Sequence, residues 1–184
     1  MGLGRHQIKI GAHSFPQAMD ILWAPWRMKY IEYAKIEKDA ECFICKAFTA
    51  PNPDEHFVLF KTSRAIVVMN KYPYNTGHLL VAPARHAPDF SSLTKDELHE
   101  LVEVLRESVE ILKRALDPDG FNIGVNLGRV AGAGLESHLH IHVVPRWLGD
   151  TNFMPVISNT KVIPESLQDT LIKLKKYVNY LNRT

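Results

Sequence analysis

A chain of 184 residues, 46% hydrophobic and 23% charged, has the length and balance of one globular domain with a real core. A formal net charge of +2 is too small to argue for a nucleic-acid or membrane surface, and no apolar run approaches the ~20 residues that span a bilayer. The N-terminus has no apolar secretory core, so the expected compartment is the cytoplasm.

Residues 1–18 carry glycines and basic residues with little periodicity, and read as a poorly ordered or tag-like extension in which His6 and His13 have no role. Residues 19–184 read as a single domain. Cys42-Phe43-Ile44-Cys45 holds both cysteines, which stay reduced in the cytosol. Alone, the motif fits half a zinc site, a redox pair or no special role. Asn52 to His56 is a loop; Phe57 to Phe60 and Ala65 to Met69 are short strands joined by a turn at Lys61 to Arg64. A third strand, Leu79 to Pro83, is closed by proline. Residues 94–116 are the clearest helix: Thr94 and Glu97 form a capping box, and Leu98, Leu101, Val102, Leu105, Val109 and Leu112 recur at helical spacing. Asp117-Pro118-Asp119-Gly120 ends it. Phe121 to Leu127 and Ser137 to Val144 are the fourth and fifth strands. A last helix runs from about Pro164 to Leu181, with Leu167, Leu171 and Leu174 on one face. Successive strands broken by one long helix predict an α+β fold with an antiparallel sheet of about five strands.

The most informative stretch is His138-Leu139-His140-Ile141-His142-Val143-Val144-Pro145-Arg146. Side chains alternate across a strand, so three imidazoles line one face while Leu139, Ile141 and Val143 enter a core. Three readings stand on the residues alone. One neutral imidazole attacks phosphorus while its neighbours orient it and bind oxygens. Alternatively, histidines two apart chelate zinc or iron, with Glu136 the nearby acidic ligand. The third reading is a polar strand face that is merely histidine-rich.

The pattern of three histidines alternating with apolar residues and followed by Val143-Val144 resembles the signature of the histidine triad (HIT) family of nucleotide hydrolases and transferases. The resemblance runs from about Met19 to Tyr180. It includes Val68 to Pro83, which is similar to the family's nucleoside-binding strand, turn and strand. Leu22-Trp23-Ala24-Pro25-Trp26-Arg27-Met28 and Val143-Val144-Pro145-Arg146-Trp147 resemble the branch of diadenosine tetraphosphate phosphorylases.

The resemblance implies the histidine triad fold and a role for each residue. His140, the middle histidine, is the nucleophile that forms a nucleotidyl-histidine; His142 contacts phosphate and passes a proton to the leaving group; His78 supports them. Asn70 bonds the ribose hydroxyls, unless it is simply a turn residue. Asn126 is a phosphate-side amide, and Gly128 to Gly134 is a loop that brings backbone N–H groups, near Gly134, to phosphate oxygens. Many hydrolases of the family carry Gln-Ser or Gln-Thr before the triad; Gly134-Leu135-Glu136-Ser137 stands here instead, which fits a site that admits inorganic phosphate. Several family members complete a structural zinc site from the two cysteines, a histidine after the Gly-His strand and the first triad histidine, here Cys42, Cys45, His86 and His138. Trp147 and Phe153 either enclose a second nucleoside or pack a homodimer interface. The activity implied is cleavage of dinucleoside polyphosphates. A nucleoside phosphoramidate hydrolase or nucleotidyl transferase is the alternative within the family, and a non-catalytic nucleotide-binding regulatory module the alternative outside enzymes.

Overall fold

The expected antiparallel sheet and long helix are present in the computed structural model, which describes residues 42–158 and 161–181. The expected extension at 1–18, with His6 and His13, and the segment Leu22 to Met28 lie outside the described residues. The elements in chain order are α1 (Phe43–Thr49), β1 (Val58–Lys61), β2 (Ala65–Met69), β3 (Leu79–Pro83), α2 (Lys95–Leu116), β4 (Gly120–Val125), β5 (Ile141–Arg146), α3 (Met154–Ser158) and α4 (Leu167–Leu181). The sheet order is β1-β2-β3-β5-β4, antiparallel at each junction.

The central strands β2 and β3 are buried along their whole length, which is why Ala65 to Met69 and Leu79 to Pro83 read as continuous apolar runs rather than alternating ones. One face of the sheet, with Val67, Leu79, Val81, Ile141 and Val143, packs on Leu101, Ile111 and Leu112 of α2 and on Leu171 and Leu174 of α4. The other face carries Ile66, Val68, Leu80 and Ala82 under Ile44 and Ala47 of α1. The periodicity did not announce α1 or α3; both are single short helices of seven and five residues.

Several element ends differ from expectation for identifiable reasons. Phe57 is not in β1: it caps a 3-10 turn at Pro53–His56 with φ 55°, and the strand starts one residue later. Lys61 closes β1 rather than opening the turn. Helix α2 does begin after Thr94 with a complete capping box, and Asp117 ends it in the left-handed region at φ 47°. Its buried stripe is Leu101, Val104, Ser108, Ile111 and Leu112, however, and Leu98 and Val102 are exposed on a flank of that stripe. β4 stops at Val125. Helix α4 starts at Leu167 because Ser166 caps it, its hydroxyl accepting from the Asp169 N–H at 3.1 Å.

The fifth strand begins at Ile141, not Ser137. Neither neighbour pairs with it further: β4 ends with Val125 opposite Ile141, and β3 runs on to Pro83 but pairs with β5 only as far as Val81, Pro83 having no N–H for the ladder. His138 and His140 therefore precede the strand proper. The chain there stays tied to the β3 side by the Leu139 N–H, which donates to the Ala87 carbonyl at 2.7 Å.

Candidate active site and metal centre

Register places the histidines. His142 is opposite Leu80, on the face away from α2, while Leu139, Ile141 and Val143 are buried in the α2-side core. The expected division, imidazoles on one face and aliphatic side chains on the other, extends back through residues 138–140 although they lie outside the ladder. His78 joins the group from the residue before β3. It is delivered there by Gly77, whose φ of +75° favours glycine, with the turn pressed onto the Leu112 and Leu116 side chains of α2.

Four hydrogen bonds fix where each ring proton resides. The Tyr74 N–H donates to His78 Nδ1 at 3.1 Å, and the Asn70 amide lies 3.4 Å from the same nitrogen. Nδ1 is thus an acceptor, and the proton of neutral His78 is on Nε2. Burial, then repulsion from His142 and His140, lowers the His78 pKa to about 3, so the ring is neutral at pH 7. Its Nε2–H donates to His142 Nδ1 at 2.9 Å, which leaves the His142 proton on Nε2. The pair His140 and His138 follows the same logic. His140 Nδ1 is 2.8 Å from the His138 carbonyl, which can only accept. Burial lowers the His140 pKa, so the neutral ring carries its proton on Nδ1 and a lone pair on Nε2. His138 Nε2 donates to the Pro83 carbonyl at 2.8 Å, and burial takes its pKa to about 4. Its Nδ1 lone pair is therefore directed to the two cysteines.

The arrangement has a chemical consequence. The ring centroids of His140 and His142 are 5.1 Å apart. One ring offers a nucleophilic nitrogen and the next a proton donor, the two functions an in-line displacement at phosphorus requires.

His138 turns toward a second cluster. Cys42 precedes α1 and Cys45 lies one turn into it, so both thiols share a face. Cys42 Sγ is 3.2 Å and Cys45 Sγ 3.5 Å from His138 Nδ1, and Cys45 Sγ is 3.3 Å from His86 Nδ1. The ligand atoms of Cys42, Cys45, His86 and His138 all lie within 4.8 Å of one another. Tetrahedral zinc, with bonds of ~2.3 Å to sulfur and ~2.0 Å to nitrogen, holds sulfur and nitrogen about 3.5 Å apart. The observed separations match, and a two-thiol, two-imidazole set is a zinc donor set. Among the described residues this is the single group that could hold a metal. Glu136 is exposed and outside it, so the reading in which His140, His142 and Glu136 bind a catalytic metal has no support. The carbonyl of His138, whose ring belongs to this cluster, is also the acceptor that orients His140.

Other candidate residues are in less direct positions. Asn70 Oδ1 accepts from the Tyr72 N–H at 2.9 Å, so Asn70 does shape a turn while its amide faces His78. Asn126 Nδ2 reaches the Gly132 carbonyl at 3.5 Å across the base of the glycine-rich loop. Gly134 lies at the end of that loop. Ala131, Gly132 and Ala133 donate their N–H groups to Gly128 and Arg129 carbonyls, so these three are engaged within the loop instead of facing an anion. Trp147 Nε1 donates to the Asp117 carbonyl at the end of α2, and Phe153 is exposed. Sequence reasoning missed Tyr74, Asn75 and Asp150. Buried Asn75 donates to the Pro145 carbonyl and to Asp150, and Asp150, gripped by Arg146, ties the turn before His78 to the end of β5. The signal available was proximity alone: Tyr74 and Asn75 immediately precede Thr76-Gly77-His78.

A HIT domain model matches residues 52–147. An AP-4-A phosphorylase of Mycobacterium tuberculosis is 41% identical over 154 residues, 81% of this chain and 79% of that protein. An asymmetrical bis(5'-nucleosyl)-tetraphosphatase of Schizosaccharomyces pombe is 31% identical over half of each chain. Among solved structures, a hypothetical histidine triad nucleotide-binding protein from Sulfolobus tokodaii superposes with a TM-score of 0.62 at 25% identity, covering 77% of this chain and 95% of that one. A Zn-bound histidine triad family protein from Mycobacterium smegmatis shares the fold at 21% identity, with a TM-score of 0.61 over 78% and 96% of the chains.

Proposed function

This chain belongs to the HIT domain family, and from that premise we propose that it cleaves dinucleoside polyphosphates of the diadenosine tetraphosphate type through a nucleotidyl-histidine on His140. The observation that carries the mechanism is the hydrogen bond from His140 Nδ1 to the His138 carbonyl, because it commits the Nε2 lone pair to attack. Nε2 bonds to the α-phosphorus, the bond from that phosphorus to the bridging oxygen breaks, and the departing ATP takes the proton of His142 Nε2. His78, neutral and donating to His142 Nδ1, keeps that proton on the correct nitrogen. Inorganic phosphate or water then attacks the phosphorus and the P–N bond breaks. Phosphate yields ADP, water yields AMP, and the incoming proton restores His142. We assign Asn70 to the ribose and Asn126 and Gly134 to the phosphate side.

Zinc fits Cys42, Cys45, His86 and His138 and would hold α1, the segment after β3 and the start of the triad together. No step of the reaction passes through it. A homodimer is supported by the exposed flank of α2 at Leu98 and Val102 and by edge strand β4, where exposed Ile123 faces the same side of the sheet as its partner Val143. No described helix is long and apolar enough to cross a membrane, and two cysteines held outside any disulfide and arranged as ligands suit the cytoplasm.

The test is to incubate the protein with diadenosine tetraphosphate, with and without phosphate, and to identify products by chromatography. Phosphate should accelerate cleavage and give ADP and ATP; without it, slower hydrolysis should give AMP and ATP. AMP and ATP alone at an unchanged rate in excess phosphate would identify a hydrolase, and no turnover of any dinucleoside polyphosphate would refute the proposal.

A further inference from the structure

The turn that precedes His78 contains a residue that touches both members of the His78–His142 pair. The Tyr74 ring centroid is 4.6 Å from that of His78, tilted by 44°, and 5.8 Å from that of His142, nearly parallel at 11°. Both separations fall in the range of favourable aromatic contact. The same residue's N–H donates to His78 Nδ1.

We propose that the Tyr74 ring is a positioning element of the active site: it fixes the plane of His142, so that the bond from His78 Nε2 selects one tautomer and the remaining N–H is held toward the leaving group. This rests on the reaction proposed above for its catalytic consequence, and on the geometry alone for its structural one.

Three features support the assignment. First, the contact is anchored on both sides. Asn75 next to Tyr74 is buried and bonded to the Pro145 carbonyl at 3.0 Å and to Asp150 at 2.8 Å, and Asp150 also accepts from Arg146 and the Trp147 N–H. Pro145 and Arg146 end the strand that carries His142. The turn and the strand are therefore one unit, and the backbone that carries the ring is held beside the imidazole it faces. Second, Tyr74 is 40% exposed. It is a wall between the histidine pair and solvent, not a core residue, so its loss does not open the core. Third, an imidazole held at one nitrogen still rocks about that hydrogen bond. A flat ring lying parallel to it restricts that motion, whereas a branched aliphatic side chain offers no such plane. The ring face, which meets both imidazoles, is the part assigned this role.

The test compares Tyr74→Phe and Tyr74→Leu. The Phe variant should keep kcat for diadenosine tetraphosphate within about twofold, and the Leu variant should lose kcat about tenfold with KM changed less than about threefold. Nitrogen-15 spectra of the histidine rings, recorded without substrate, should show His142 protonated at Nε2 in wild type and Phe, and a tautomer mixture in Leu. A Leu variant with wild-type kcat and a single tautomer would overturn the proposal. So would equal losses in Phe and Leu, which would make the hydroxyl the active group, or a raised KM at unchanged kcat, which would make Tyr74 a substrate-binding surface. If the wild type does not cleave the substrate, the reaction is refuted, and the spectra still decide the positioning role.

Discussion

Buried neutral His78 should make the fold acid-sensitive, and the size of the effect follows from its environment. The side chain is 1% exposed and its pKa is lowered from 6.5 to about 3, burial being the largest cause and repulsion from His142 and His140 following. A lowered folded pKa means that the folded chain binds fewer protons than the unfolded one between those two values. The stabilisation is complete above pH 6.5 and is lost as pH falls toward 3. Once the unfolded histidine is protonated, each pH unit costs about 1.4 kcal/mol, and integration from pH 7 to pH 5 gives about 2 kcal/mol for this one residue. For a chain of this size that corresponds to a fall in Tm of about 4–8 °C. The measurement is denaturant unfolding of wild type and His78→Gln at pH 7, 6 and 5. His138 and His140 also have lowered pKa values, with burial the largest cause in each, and that burial is common to both proteins and cancels in the difference. The variant should start less stable and lose about 2 kcal/mol less across the range. Parallel stability curves would show that His78 takes up a proton as easily in the fold as outside it, and the proton assignment of the His78–His142 pair would fail with it.

His140→Ala should abolish turnover while nucleotide affinity stays within about threefold, because the side chain makes a bond rather than a binding contact; AMP trapped on His140 in quenched wild-type reactions would support this, and residual wild-type turnover in the variant would remove the covalent step. Purified protein should contain about one zinc per chain by elemental analysis, and Cys45→Ser should lose it along with thermal stability. Because the His138 carbonyl orients His140, the metal-depleted protein should also lose kcat more than nucleotide affinity; metal-free protein with unchanged stability and turnover would show that the four ligand atoms converge without consequence.

Much of the architecture was legible where one physical signal dominates. The capping box at Thr94 and Glu97 marked the start of α2 to the residue, because the same short-range bonds form in any context. Alternation at Leu139, Ile141 and Val143 predicted the buried side of the triad. What was not legible depends on neighbours distant in sequence. The start of β5 is set by where β3 and β4 stop pairing, so Ser137 to His140 carry a strand's alternation without a strand's ladder. The exposed flank at Leu98 and Val102 belongs to an apolar stripe wider than the sheet can cover, and periodicity alone does not separate a core face from an interface. At the site, residue types were visible but bonds were not. Asp150, four residues beyond the triad strand, had no motif to mark it, since its effect on the His78 turn passes through Asn75.

The three histidines illustrate why residue type and spacing left nucleophile and metal ligand both open. Identical side chains at alternate positions differ here only in what their nitrogens meet. A proline carbonyl accepts from His138 Nε2–H and leaves Nδ1 for the thiols. The His138 carbonyl accepts from His140 Nδ1–H and leaves the Nε2 lone pair open to the attack proposed above. A third imidazole donates to His142 Nδ1 and leaves its Nε2 protonated. Two of these acceptors are backbone groups, which any sequence supplies, so only the path of the chain decides the chemistry. Pro83 contributes twice: it offers a carbonyl to His138, and it has no N–H to give to a ladder with residues 138–140. That release from the ladder accompanies the bond from His140 to the carbonyl of His138. His138 therefore links the four-residue cluster to His140, and the order of the cluster at Cys42 and Cys45 bears directly on how the His140 ring is oriented.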